Sequence, residues 1–171
     1  MYNAVMDTSF LLDWVRYSKN NLIFKIFSLI YLPESVINEI RSERGLLWIA
    51  ENLENNRLVI LPELPNIIQE ANYLVTESRR IPIRALDFPE SICLVIAKMF
   101  DLIVLTENGG AIAAPYFFNN YKNVRVMKAI DVLYELYKVG HISDIKSEIT
   151  LYSSQTNHKF SEKDLKKYNL I

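Results

Sequence analysis

A short apolar run that ends in a carboxylate and two hydroxyls, Ala4-Val5-Met6-Asp7-Thr8-Ser9, constrains this chain more than any other feature. The run is too short for a helix but suits the buried first strand of an α/β sheet. The helical spacing of Phe10, Leu11, Trp14 and Val15 then supplies a covering layer. Ligands of open parallel sheets gather outside the carboxyl ends of the strands, where Asp7 falls.

Later segments offer partners for Asp7. Leu32-Pro33-Glu34-Ser35-Val36-Ile37-Asn38-Glu39-Ile40 predicts a helix with proline at its first position. Val36, Ile37 and Ile40 form its inner face, and Glu39 lies beside that face. Asp87 reads as the N-cap of a second helix running through Ile92 and Ala97, with Glu90 three residues on. Leu102 to Leu105 reads as a buried strand ending in the polar turn Thr106-Glu107-Asn108-Gly109-Gly110, with Glu107 and Asn108 at its carboxyl end.

The remaining segments read as scaffold. Helices are predicted from Gly45 to about Asn55, within Pro62 to Ser78, over Ala111 to Tyr116, and from Ala129 to Tyr137 with Gly140 as C-cap. Strands are predicted over Leu58 to Leu61 and Val124 to Met127. Strands that alternate with helices imply a parallel sheet covered on both faces. The tail from Ser143 to Ile171 is helical in pattern, with Ile145, Ile149 and Tyr152 on one face. A capping box at Ser161 to Asp164 opens a last short helix that buries Leu165 and Leu170. That tail either completes the core or covers a partner surface.

Composition narrows the class. A chain of 171 residues that is 50% hydrophobic can bury one proper core. Cys93 is the lone cysteine and lies in an apolar helical stretch, so disulfides and cysteine-ligated zinc are excluded, and a reducing, cytoplasmic setting is expected. The longest apolar stretch, Leu22 to Leu32, is interrupted by Lys25 and falls short of the roughly 18 residues that argue for a membrane span. His141 and His158 lack metal-ligand spacing and are expected at the surface. No glycine-rich phosphate loop, serine elbow or Cys-His pair is present, nor the second aspartate of an aspartyl-phosphate hydrolase. A net charge of -1 excludes a uniformly basic nucleic-acid binder, so any grip on a polyanion is local. Arg79, Arg80 and Arg84 precede the Glu90 helix, and Arg41 and Arg44 follow the Glu39 helix. These arginines either steady a phosphate backbone or are solvated surface. Tyr116-Phe117-Phe118 with Tyr121 either stacks bases or packs in the core.

In order along the chain, these features resemble the PIN-domain nucleases. Asp7 with Thr8 falls on that family's strand-Asp motif, and Glu39 on the acid late in its Pro-x-x-Val-x-x-Glu-Ile helix. Glu90 with Ala97 falls on the acid seven residues before a helical alanine, and Thr106-Glu107-Asn108 on the strand ending in threonine and acids. The resemblance covers residues 1 to 140, and the 141–171 tail is similar to a helical extension in a prokaryotic branch that includes VapC-type toxins. Two residues depart from the pattern: Pro89-Glu90 replaces a Gly-Glu pair, and Asn108 stands where many members carry Asp.

The resemblance implies a three-layer α/β/α fold with a central, mainly parallel sheet and a helical extension packed on the same domain. It also implies an endoribonuclease dependent on Mg2+ or Mn2+, with homodimers and an antitoxin protein as partner. Two divalent ions held by hard oxygen ligands can activate water and neutralise a transferring phosphate. Asp7 is then expected to anchor the principal ion, with Glu39 and Glu90 completing its shell and Glu107 or Asn108 helping a second ion. Asn108 adds no negative charge, so that second ion is expected to bind weakly. Thr8 and Thr106 are expected to orient water or phosphate. The residues also have local explanations: Asp7 and Thr8 suit a helix cap, Glu90 a capping box with Asp87, and Asp87 itself is an alternative third acid. A catalytically inactive module that binds RNA or protein is the alternative function.

Overall fold

A computed structural model describes residues 1–171. The strands are β1 (Tyr2–Met6), β2 (Phe27–Pro33), β3 (Leu58–Leu61), β4 (Ile103–Leu105) and β5 (Arg125–Met127), ordered β3-β2-β1-β4-β5. Every neighbouring pair is parallel. The helices are α1 (Thr8–Arg16), α2 (Glu34–Glu39), α3 (Glu43–Glu54), α4 (Pro65–Ser78), α5 (Phe88–Phe100), α6 (Gly109–Phe117), α7 (Ala129–Lys138), α8 (Ile145–Thr156) and α9 (Glu162–Lys167). No helix is long and apolar enough to cross a membrane.

The chain moves outward from β1 through β2 to β3, then crosses back to place β4 on the other side of β1. That reversal makes the β1–β4 boundary the topological switch point, the usual place for a ligand crevice in such sheets. Met6 pairs with Leu105 across it, so the residues that follow each strand emerge side by side. Helix α5 packs on β1, β2 and β4, with α4 against it, while α1 packs against α3 and α8. Every α5 residue from Ser91 to Ala97 is buried, as a helix laid across the middle of a sheet requires.

The sequence reading placed no strand at Phe27–Pro33, yet this segment is central in the sheet. Its apolar residues run on from the preceding 3-10 helix, Asn20–Lys25, without a change of period, because a strand covered on both faces loses the polar alternation that marks a half-exposed one. Pro33 accordingly ends β2, and the helix carrying Glu39 begins at Glu34.

The tail packs on the body. Tyr152 of α8 meets Trp14 of α1 and Tyr17, which caps α1, with ring centroids 5.7 and 5.3 Å apart, and the Tyr17 hydroxyl bonds to the Glu148 carboxylate. Tyr168 stacks on Tyr134 of α7 at 4.1 Å.

Candidate active site

Asp7 follows β1 and is 2% exposed. Its Oδ1 accepts the Thr8 N–H at 2.8 Å, so it caps α1, and its Oδ2 accepts the hydroxyls of Ser9 at 2.6 Å and Thr106 at 2.8 Å. The parallel register makes the long-range bond inevitable: Asp7 N–H donates to the Leu105 carbonyl, which sets Thr106 directly beside it. A carboxylate so held keeps one fixed orientation and still has a free lone pair on Oδ1. Ser9 was not among the expected site residues. Its signal was present in the sequence, a hydroxyl two residues past the acid on the same helical turn.

Glu39 closes α2 and is exposed, and its Oε2 accepts the Thr8 hydroxyl at 2.5 Å. Two further acids fix α2 against the sheet. Glu63, just past β3, accepts the Ser35 N–H at 2.7 Å, and its own N–H donates to Glu34 at 3.1 Å. Nothing in the sequence singled out Glu63, because its role comes from β2–β3 pairing.

Glu90 sits in the first turn of α5 and serves two purposes. One carboxylate oxygen accepts the Asp87 N–H at 2.5 Å, while the other accepts the side-chain amide of Asn108. Burial raises its pKa above the ordinary carboxylate value and the charges of Asp7 and Asp87 push the same way, against the Asp87 N–H and the Arg84 guanidinium. Beneath this group lies Cys93, whose thiol is shifted upward by burial and then by Asp7, Glu90, Glu63 and Glu39 in turn. Asp7 follows β1, Glu39 ends the helix after β2, Glu63 follows β3 and Glu90 opens α5, yet no three His, Cys, Asp or Glu side chains stand close enough to form a ready-made metal cage.

Glu107 and Asn108 are placed differently from expectation. The Glu107 N–H does reach the centre, donating to Ser9 Oγ at 3.2 Å, but its side chain turns away. Its Oε1 accepts the Ala129 N–H at 2.7 Å at the start of α7, and its Oε2 lies 3.6 Å from His158 Nε2 and 3.9 Å from Lys128 Nζ. The reason is electrostatic: a helix N-terminus, the Lys128 ammonium and a histidine whose pKa is raised offer the carboxylate more than a second carboxylate could. Burial nonetheless raises the Glu107 pKa. Asn108 caps α6, its Oδ1 accepting the N–H groups of Gly110 at 2.8 Å and Ala111 at 3.2 Å. With that oxygen committed, the amide nitrogen must face Glu90, so Asn108 offers the centre a donor rather than a cation ligand.

His158 is half-buried rather than at the surface, with Nδ1 3.1 Å from Asp13 and the ring packed on Phe160. The Asp13 contact raises its pKa above the usual histidine value. Among the arginines, Arg84 is the one whose charge reaches Glu90; Arg80 pairs with Glu77 at 2.8 Å, and Arg79 is exposed with no contact to the centre. Arg44 donates to the Arg16 carbonyl at the end of α1. The backbone of Arg84 presses on α6: a Cβ added to Gly110 would lie 2.3 Å from the Arg84 carbonyl oxygen, so only glycine fits.

No protein-family model matches the chain, and no curated protein matches its sequence. Among solved structures, a chain in the structure of FitAB bound to an IR36 DNA fragment aligns at 14% identity over 73% of this chain and 94% of that one, with a TM-score of 0.48. At that identity and score the likeness carries no argument about family or activity.

Proposed function

We propose that this chain is a divalent-metal-dependent endoribonuclease whose ion is held by Asp7, Glu39 and Glu90. The observation that carries the reading is the placement of two carboxylates at the switch point of a parallel sheet, Asp7 just past β1 and Glu90 in the first turn of α5, where burial and the Asp7 charge raise the Glu90 pKa. Such a pairing is unfavourable alone and is relieved by a hard cation.

On this reading Asp7, Glu39 and Glu90 share one ion only after side-chain movement, since as they stand no three carboxylates form a cage. Asp7 Oδ1, the second oxygen of Glu39 and both oxygens of Glu90 each keep a lone pair after their hydrogen bonds. Glu39 is exposed, so its side chain can turn inward by rotation about its own bonds. A bound ion supplies charge neutralisation at the phosphate and a more acidic water. The chain's own residues do the positioning. Ser9 and Thr106 fix Asp7, Thr8 steers Glu39, and Arg84 offers positive charge to a phosphate. Glu107 and Asn108 do not join the set, so the reading is of one principal ion, Mg2+ or Mn2+. Homodimers and inhibition by an antitoxin protein belong to the same proposal through the sequence resemblance.

The second reading, a non-catalytic module, is favoured by Asn108, whose amide occupies a Glu90 oxygen in the way a cation would. Incubating wild type and Asp7→Asn with mixed RNA and Mn2+ separates the two. The nuclease reading expects cleavage by wild type and at least a hundredfold loss in the variant, a size in keeping with a lost metal-charge interaction. Equal cleavage by both proteins, or none by wild type, rejects it.

A further inference from the structure

A chain of net charge -1 with an acidic centre still needs a local cationic surface to hold a polyanion. Beside the outer strand β5, the structure has a groove of about 600 Å³ walled by α6, α7 and α9. Lys122, Lys128, Lys163 and Lys167 line it against two carboxylates, Asp131 and Asp164. Both carboxylates are satisfied already. Asp131 accepts Lys167 Nζ at 2.7 Å, the Tyr168 hydroxyl at 2.5 Å and the Lys128 N–H at 2.7 Å. Asp164 accepts Lys128 Nζ at 2.5 Å and the Ser161 hydroxyl at 2.7 Å. Lys122 and Lys163 are exposed and unpaired, and their charge is free for a ligand.

An aromatic ring completes the groove. Tyr116 of α6 lines it and is 85% exposed, although an exposed ring of this size wins nothing from folding. A chain of polar contacts links one wall of the groove to Asp7. Lys128 Nζ lies 3.9 Å from Glu107, whose N–H donates to Ser9 Oγ, and that hydroxyl holds Asp7.

From this juxtaposition of unpaired lysines and an exposed tyrosine, we infer that the groove is a binding site for single-stranded RNA, with Lys122 and Lys163 on phosphates and Tyr116 stacking on a base. The inference rests on the nuclease reading for its choice of RNA, and it gives the C-terminal extension a function, since α9 supplies one wall. Cationic side chains interleaved with an exposed ring suit single strands, whose unpaired bases offer π-faces and whose backbone offers charge. An acidic peptide would meet the lysines but has no need of the ring.

The test is fluorescence anisotropy of a short labelled single-stranded RNA in EDTA, which reads binding without cleavage. The Lys122→Glu/Lys163→Glu double variant is expected to bind at least tenfold more weakly, and the slope of log affinity against log salt should fall by about 1.4. Tyr116→Ala is expected to lose roughly tenfold. All three positions are exposed, so thermal unfolding should match wild type. Unchanged RNA affinity in the double variant overturns the inference. So does a polyglutamate peptide that displaces the RNA at equal charge while Tyr116→Ala has no effect. Failure of the nuclease reading looks different: no RNA is cleaved in Mn2+, yet the groove variants still lose binding in EDTA.

Discussion

At the scale of single residues, the site depends on which partner each polar group finds. Asp7 and Thr8 were legible as a strand-end acid and hydroxyl, and Glu90 as a capping-box acid, because local spacing alone determines those roles. Glu107 and Asn108 were not, because the choice between facing Asp7 and facing α7 or Glu90 is made by residues distant in sequence: Ala129, Lys128 and His158 for one, Glu90 for the other. Asn108→Asp would exchange the amide donor for a second carboxylate beside Glu90. In EDTA this variant is expected to lose about 2 kcal/mol in urea unfolding, the scale of a hydrogen bond to a charged group, while its melting temperature should rise more than that of wild type on adding Mn2+. An unchanged stability would mean that the amide contact contributes nothing. Glu90 also gives a pH signature. Its folded pKa is raised, so it contributes stability that is complete below its unfolded value of 4.5 and is lost as pH rises through the folded value. Measured in EDTA, the stability of wild type relative to Glu90→Gln should therefore fall from pH 4.5 toward neutrality, and a flat difference would contradict the assigned shift.

At the scale of elements, the site is assembled where four chain segments meet: the β1–α1 junction, the end of α2, the start of α5 and the β4–α6 turn. Helices with caps and amphipathic spacing were readable, including α5 from its Asp87 N-cap and α9 from Ser161. Strand β2 was hidden because burial on both faces erases alternation, and with it went the pairing that brings Glu63 to α2. The contact between α6 and the Arg84 segment is a backbone event that no side-chain pattern announces. Gly110→Ala is expected to cost about 1–3 kcal/mol in chemical unfolding, since the clash is with a backbone carbonyl and cannot be relieved by rotating a side chain. Cleavage should fall with it, because the displaced segment leads into Asp87 and Glu90. A variant as stable as wild type would show that this loop moves freely.

At the scale of the whole molecule, charge is divided rather than evenly spread. Carboxylates gather at the carboxyl ends of the central strands, while lysines line the flank built by β5 and the C-terminal helices. The layered α/β architecture was legible from alternating periods, and a parallel sheet with a switch point then dictates where a ligand belongs. The direction in which each acid points was settled only by packing. These carboxylates at the carboxyl ends of the strands are proposed to hold a hard cation together, and that role decides the function. It is tested most directly by calorimetric titration of Mn2+ into EDTA-stripped wild type, Asp7→Asn and Glu39→Gln, the last altered at an exposed side chain so that its fold is retained. Wild type is expected to bind saturably, Glu39→Gln at least tenfold more weakly and Asp7→Asn not at all; no binding by wild type, or the same isotherm for all three proteins, would contradict the proposed cation site.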